Sequence, residues 1–154
     1  MEHNVREVYS LMIPIIEQSI LLPNATVEEI VPFRDVTLTD TGPNWYVGDL
    51  HWQGSLVPLV SLDVMNGGED PQANKQARVA VVTTLNNSEQ VPYVAFIVQG
   101  IPRLTHVTEP SISLDDDGEE MGLADKAKVK IGSIRAMIPD IDKIESMVAD
   151  IKAA

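Results

Sequence analysis

Apolar residues along this chain cluster in short β-rich runs, and tight polar punctuation separates one run from the next. Tyr9 to Ile16 and Ile20 to Leu22 flank Glu17-Gln18-Ser19, which predicts a hairpin with two nearly all-apolar arms ended by Pro23-Asn24-Ala25-Thr26. Val27 to Pro32 fits a short helical turn capped by Thr26 or a strand. Pro32 excludes a long helix, and the β-branched residues favour a strand or bent edge. After a polar stretch from Phe33 to Pro43, Trp45 to Leu62 predicts a second hairpin. Leu50 and Trp52 share one face and His51 takes the other, and the chain reverses at Gln53-Gly54, where glycine supplies a positive φ. Pro58 has no amide hydrogen to donate, so its strand is expected at a sheet edge or with a bulge, leaving an exposed backbone rail.

Met65 to Ala77, with Gly67-Gly68-Glu69-Asp70-Pro71, reads as a flexible connector. Arg78 to Leu85 and Val91 to Val98 predict a third hairpin around Asn86 to Gln90, and its near-continuous apolar arms indicate burial on both faces. Residues 109–125 hold seven acidic side chains and no basic one, the pattern of a solvated loop that interrupts a barrel. Val129 to Ile131 and Ile134 to Ile138 form a fourth hairpin around Gly132-Ser133. Ile141, Ile144, Val148 and Ile151 then make one stripe of a terminal helix over about 140–152, with Asp140 or Asp142 as its cap. No repeat of about 20 to 50 residues is evident. Four hairpins and one helix describe a mainly β protein of small Greek-key or SH3-like barrels, not a βαβ sheet.

Composition narrows the function. A chain of 154 residues suits one domain, or two subdomains sharing a core. With 11 Lys+Arg against 23 Asp+Glu the net charge is -12, which argues against nucleic acid as a partner. There is no cysteine, so disulfides, thiolate metal sites and cysteine nucleophiles are excluded together. The first apolar stretch, Leu11 to Ile16, contains a proline and is too short for a signal-peptide core or a membrane span. A cytoplasmic location without membrane insertion is expected, and the glycosylation match at Asn24-Ala25-Thr26 then carries no chemistry.

Candidate chemistry is sparse. His3, His51 and His106 stand apart, with no HExxH or paired-ligand spacing. With Gly118 at the sixth position of an EF-hand loop, the anchoring positions fall on Ser113 and Ala124, so Asp115-Asp116-Asp117-Gly118-Glu119-Glu120 lacks the carboxylates that calcium needs there. No nucleotide-binding or nucleophile-elbow motif is present. No catalytic residue, metal site or cofactor is expected. An acidic barrel binding a cation or small ligand through Asp115 to Asp117 is one reading left open, and a hydrolase using His51 or His106 is a weaker one. Trp52 is expected in the core beside Leu50, whereas Trp45 suits either the core or an interface.

The block from Leu22 to Leu62 resembles the CheW-like family of chemotaxis coupling proteins. The features that carry this are the apolar strand before Val27-Glu28-Glu29-Ile30, then Pro43-Asn44-Trp45-Tyr46-Val47-Gly48, then Leu50 to Leu62. Val91 to Leu104 and Val129 to Ile151 are similar to the family's later hairpins and closing helix. The resemblance implies a single domain over 1–154 of two five-stranded SH3-like barrels. It also implies a non-catalytic scaffold joining the cytoplasmic tip of a chemoreceptor to the regulatory domain of a CheA-type histidine kinase. Val27, Ile30, Gln53 and their neighbours Glu29, Trp45 and His51 are the implied partner-binding residues. Two departures stand out. His51-Trp52-Gln53-Gly54 replaces the family's Asn-x-Arg-Gly, which removes a fixed cation and its forked donors, and Ser61 replaces the Asp of Pro-x-x-Asp-Leu. The Leu-Leu-Pro-Asn opening and the tryptophans look more like couplers of pilus or twitching systems than flagellar ones.

Overall fold

The computed structural model describes residues 7–69, 76–84, 90–115 and 121–153. His3, the centre of the connector at 70–75, the turn at 85–89 and the acidic run Asp116 to Glu120 lie outside them. The strands are β1 (Glu7–Pro14), β2 (Ser19–Pro23), β3 (Val27–Pro32), β4 (Val36–Leu38), β5 (Tyr46–Trp52), β6 (Ser55–Val60), β7 (Arg78–Thr83), β8 (Tyr93–Val98), β9 (Arg103–Thr108), β10 (Ile112–Leu114), β11 (Asp125–Ile131) and β12 (Ile134–Pro139). A short helix α1 (Leu62–Met65) follows β6, and α2 (Ile141–Ala153) follows β12. The four expected hairpins are all present as antiparallel pairs.

These strands form two six-stranded sheets, ordered β10-β11-β12-β2-β1-β9 and β3-β7-β8-β6-β5-β4. In each sheet the two end strands are consecutive in the chain: β9 reaches β10 through the turn Glu109–Ser111, and β3 reaches β4 through residues 33–35. A sheet whose ends are joined so closely must curl to bring them near one another, which makes each a small barrel whose end strands share no ladder among the described residues. Barrel 1 contains β1 and β2, and barrel 2 contains β5 and β6. Five longer strands in each match the expectation, and a three-residue edge strand, β4 or β10, completes each sheet.

The two barrels have the same connectivity. Reading from β10 or from β4, two antiparallel steps lead to a parallel pair, β12 with β2 or β6 with β8, followed by two more antiparallel steps. The first half of the chain, β1 to β6, is thus repeated in β7 to β12, and each half lends its first hairpin to the other half's barrel.

Three apolar clusters follow from this exchange. Barrel 1 closes around Met12, Leu21, Val107, Val129 and Ala136. Barrel 2 closes around Leu50, Val57, Leu59, Val79, Val81, Ala95 and Ile97. The largest cluster lies between them, with Ile13, Ile20, Leu22 and Met137 from barrel 1, Ala80, Val82, Val94 and Phe96 from barrel 2, and Leu62, Ile141, Ile144 and Val148 from the helices. Alternate residues of β7 and β8 therefore face a barrel interior and the shared core, so both faces are buried, as their apolar runs predict.

Helix α2 docks through its predicted stripe. Asp140 caps it, with its Oδ1 accepting the Lys143 amide at 3.1 Å. At its far end Lys152 Nζ donates to Asp49 Oδ1 at 2.9 Å, and the Tyr46 hydroxyl donates to the same oxygen at 3.0 Å. Burial raises the Tyr46 pKa. The Lys152 pKa is also raised, because hydrogen bonds to Asp49 and Tyr46 outweigh the effect of burial.

Two expectations are corrected, and one stretch to which the sequence assigns no element gains a strand. Pro58 does not mark an edge, since β6 lies between β5 and β8. The bulge of the β5–β6 ladder falls on the partner strand between Tyr46 and Gly48, one pair beyond the Asp49–Pro58 pair. The proline is accommodated because the ladder to β8 begins only at Leu59. The polar stretch from Phe33 to Pro43 contains β4, held against β5 through Val36. The segment 109–125 does not merely interrupt the barrel, because Ile112 to Leu114 pair with β11 and Asp125 is buried in β11. Segment-wide charge density hid one short strand with alternating apolar residues.

Polar contacts also tie the barrels together. The Asp63 carboxylate, 2% exposed and carried by α1, accepts the amides of Ile16 and Glu17 in the β1–β2 turn at 3.1 and 3.2 Å. Asn66 donates to Asp125 Oδ1 at 2.8 Å and accepts the Ala124 amide at 2.9 Å. Desolvation raises the Asp63 pKa above 3.8, against the lowering effect of its two amide donors. The folded carboxyl thus holds its proton more tightly than the unfolded one. Its contribution falls as pH rises from 3.8 through the folded value, and is constant above. Asp63→Asn replaces one acceptor with a donor facing an amide, and is expected to lower stability near pH 7 by about 1–3 kcal/mol. Urea titrations across acidic pH should show that the variant has lost this part of the pH dependence. Equal stability near pH 7 would show that the turn does not depend on the carboxylate.

Candidate functional site

Val27 and Ile30 are three residues apart, and a regular strand would point them to opposite faces. A bulge in β3 changes this: Val27 pairs with Val82, Glu29 with Val81 and Ile30 with Ala80, so one extra residue is accommodated before Glu29. Val82 and Ala80 belong to the shared core, and Val27 and Ile30 both pack against its margin while remaining half-exposed. β3 ends its sheet with β7 as its ladder partner. The result is an apolar pair on an edge strand at the seam between the barrels.

Glu29 lies opposite Val81, a residue of the barrel 2 interior. Its Oε1 accepts the Trp52 indole N–H at 2.9 Å, and Trp52 packs edge-on against Tyr93 with ring centroids 5.1 Å apart. Glu28 accepts the Thr83 hydroxyl at 2.9 Å. Gln53 follows Trp52 at the hairpin tip and is exposed. Gln53 and Gly54 both have positive φ, 48° and 77°, the pair that a type I′ turn requires, so the reversal does not rest on glycine alone. His51 is on the other face of β5, exposed, with Nε2 2.7 Å from the Thr37 hydroxyl.

The predicted residues therefore separate. Val27 and Ile30 share one surface, Glu29 and Gln53 flank Trp52 at the end of the β5–β6 hairpin, and His51 faces elsewhere. Trp45 is 8% exposed within the shared core, so its ring is not available to a partner. His106 stacks on Tyr9 with centroids 4.7 Å apart, in the other barrel from His51, so the two histidines do not form one centre. The Asp115 side chain is 5% exposed, with Lys130 Nζ at 3.7 Å and Arg135 Nε at 3.4 Å, an arrangement opposed to binding a further cation.

The matching connectivity identifies a second apolar pair that sequence reading missed. Ile30 lies opposite Ala80 in barrel 2, and the corresponding position in barrel 1 is Leu104, opposite Leu11. Leu11 packs against the shared core as Ile30 does. Ile101 precedes Leu104 by three residues, as Val27 precedes Ile30. Ile101 is 77% and Leu104 61% exposed. The equal spacing was visible in the sequence, but its meaning required the sheet order.

A protein-family model for the CheW-like domain matches residues 10–147. The chain belongs to the CheW-like domain family. Among solved structures, it matches the scaffolding protein TtCheW from Thermoanaerobacter tengcongensis with a TM-score of 0.72 and 18% identity, over 88% of this chain and 90% of that one. No curated protein gives a significant sequence match. The two-barrel architecture is thus the CheW-like fold. Among the described residues, no helix is long and apolar enough to cross a membrane.

Proposed function

We propose that this CheW-like chain is a non-catalytic cytoplasmic adaptor coupling the tip of a chemoreceptor to the regulatory domain of a CheA-type histidine kinase. Type IV pilus twitching is the motility output suggested by the Leu-Leu-Pro-Asn opening. The observation that carries the proposal is the half-exposed Val27–Ile30 pair, set by a bulge on an edge strand at the seam of two barrels. Apolar side chains beside unpaired strand backbone suit a partner that buries a small hydrophobic face. Ile101 and Leu104 extend the same chemistry from the other barrel. Gln53 is retained as a rim contact beside this face, and its neutral amide gives weaker recognition of an acidic partner than the family's arginine. Glu29 contributes at the rim through its contact with Trp52, His51 is set apart on the other face of β5 beside Thr37, and Trp45 is reassigned to the core. A net charge of -12 tunes association rate and partner choice more than affinity.

Val27→Glu places a carboxylate in the apolar contact and is expected to weaken capture of a purified receptor tip at least tenfold, or about 1.4 kcal/mol, with unchanged circular dichroism. Calorimetry with a receptor-tip fragment, and separately with a kinase regulatory domain, measures this. Undiminished affinity for both partners in Val27→Glu and Ile30→Glu would remove the site assignment.

A further inference from the structure

Barrel 1 has an open mouth of about 350 Å³, walled by Val8, Leu21, Pro23, Val107, Ile112 and Ile138. The hydroxyl-bearing residues Ser10 and Thr108 complete its lining. It opens beside the barrel 1 cluster, since Leu21 and Val107 belong to that interior.

The repeated connectivity shows what the other barrel places there. Val8 lies opposite Val107 across β1 and β9. The corresponding positions in barrel 2, one step beyond the Arg78 and Pro32 pair, are Ala77 and Phe33, and both pack against the barrel 2 interior. Barrel 2 thus sets a small residue beside an aromatic ring where barrel 1 has two valines and a cavity. We propose that the barrel 1 mouth is a binding site for one neutral aromatic ring of a small molecule, taking the place that Phe33 fills in barrel 2. The nearly all-apolar wall favours a ring without charge, and the net charge of -12 further disfavours an aromatic carboxylate. The site is separate from the Val27–Ile30 surface and does not depend on the coupling function.

Methyl NMR of the whole protein, titrated with indole and in parallel with benzoate, tests this. Indole is expected to give saturable shifts at Val8, Leu21, Val107 and Ile138, with benzoate at least tenfold weaker. The double variant Val8→Ala/Val107→Phe reproduces the barrel 2 pair, and is expected to weaken indole binding more than tenfold without lowering the melting temperature. Absence of saturation in the wild type overturns the proposal, as does indole binding that survives in the folded double variant. If the double variant does not fold, the wild-type titration decides alone. Shifts confined to the exposed Ile101–Leu104 surface would also overturn it.

Discussion

Trp45→Ala is expected to lower stability by about 3–5 kcal/mol, the range for truncating a large buried aromatic side chain. Its ring is packed in the cluster that both barrels and α2 share, so the loss should appear as one cooperative transition at lower denaturant concentration. For a chain of this length the melting temperature should fall by roughly 6–20 °C. Once folded, the variant should still capture its partners, because the indole does not reach the surface. Reduced binding with undiminished stability would return Trp45 to the interface. The backbone reinforces the placement: the Trp45 carbonyl accepts the Ser61 amide at 2.9 Å, fixing the start of β5 to the end of β6.

Gly48→Ala is expected to be of similar severity through a different mechanism. Gly48 has φ 154° and sits at the bulge between β5 and β6, opposite Leu38. A Cβ there would overlap the Thr37 carbonyl oxygen and lie 2.9 Å from the Leu38 Cα. These are backbone atoms, which cannot rotate away, so β4 must separate from β5 and the barrel 2 closure must open. Overpacking and backbone strain together amount to about 3–5 kcal/mol. Thermal denaturation measures the loss, and amide exchange should accelerate first at Val36 to Leu38. A change below about 1 kcal/mol would show that β4 adapts more freely than its contacts suggest.

Much of the local structure was legible because hydrophobic period and turn chemistry are local signals. The Gln53-Gly54 reversal, the doubly buried β7 and β8 arms and the Ile141–Ile144–Val148 stripe each follow from neighbouring residues. Pro58 misled because its missing amide hydrogen states a constraint without saying how the surroundings meet it. Here the adjoining ladder simply begins one residue later. The acidic stretch misled because charge averaged over many positions obscured Ile112 to Leu114.

The candidate site was less legible. Nothing local indicates that Val27 and Ile30 share a face, since three residues is the wrong spacing for a strand. The family resemblance placed them together, and the bulge opposite Val81 and Val82 supplies the physical cause. The exposure of Leu104 and burial of Trp45 were equally hidden, because each depends on what a remote strand or helix covers.

Sequence by itself determined the four hairpins, the β3 strand and the closing helix, that the interior is aliphatic and that cysteine chemistry is absent, but not the strands β4, β9 and β10. Only the tertiary structure decided that the halves exchange hairpins, that a third core joins the barrels, and which apolar side chains stay uncovered. Strand formation depends on nearby residues, but strand order and burial depend on partners far away along the chain, and pairing register converts one into the other.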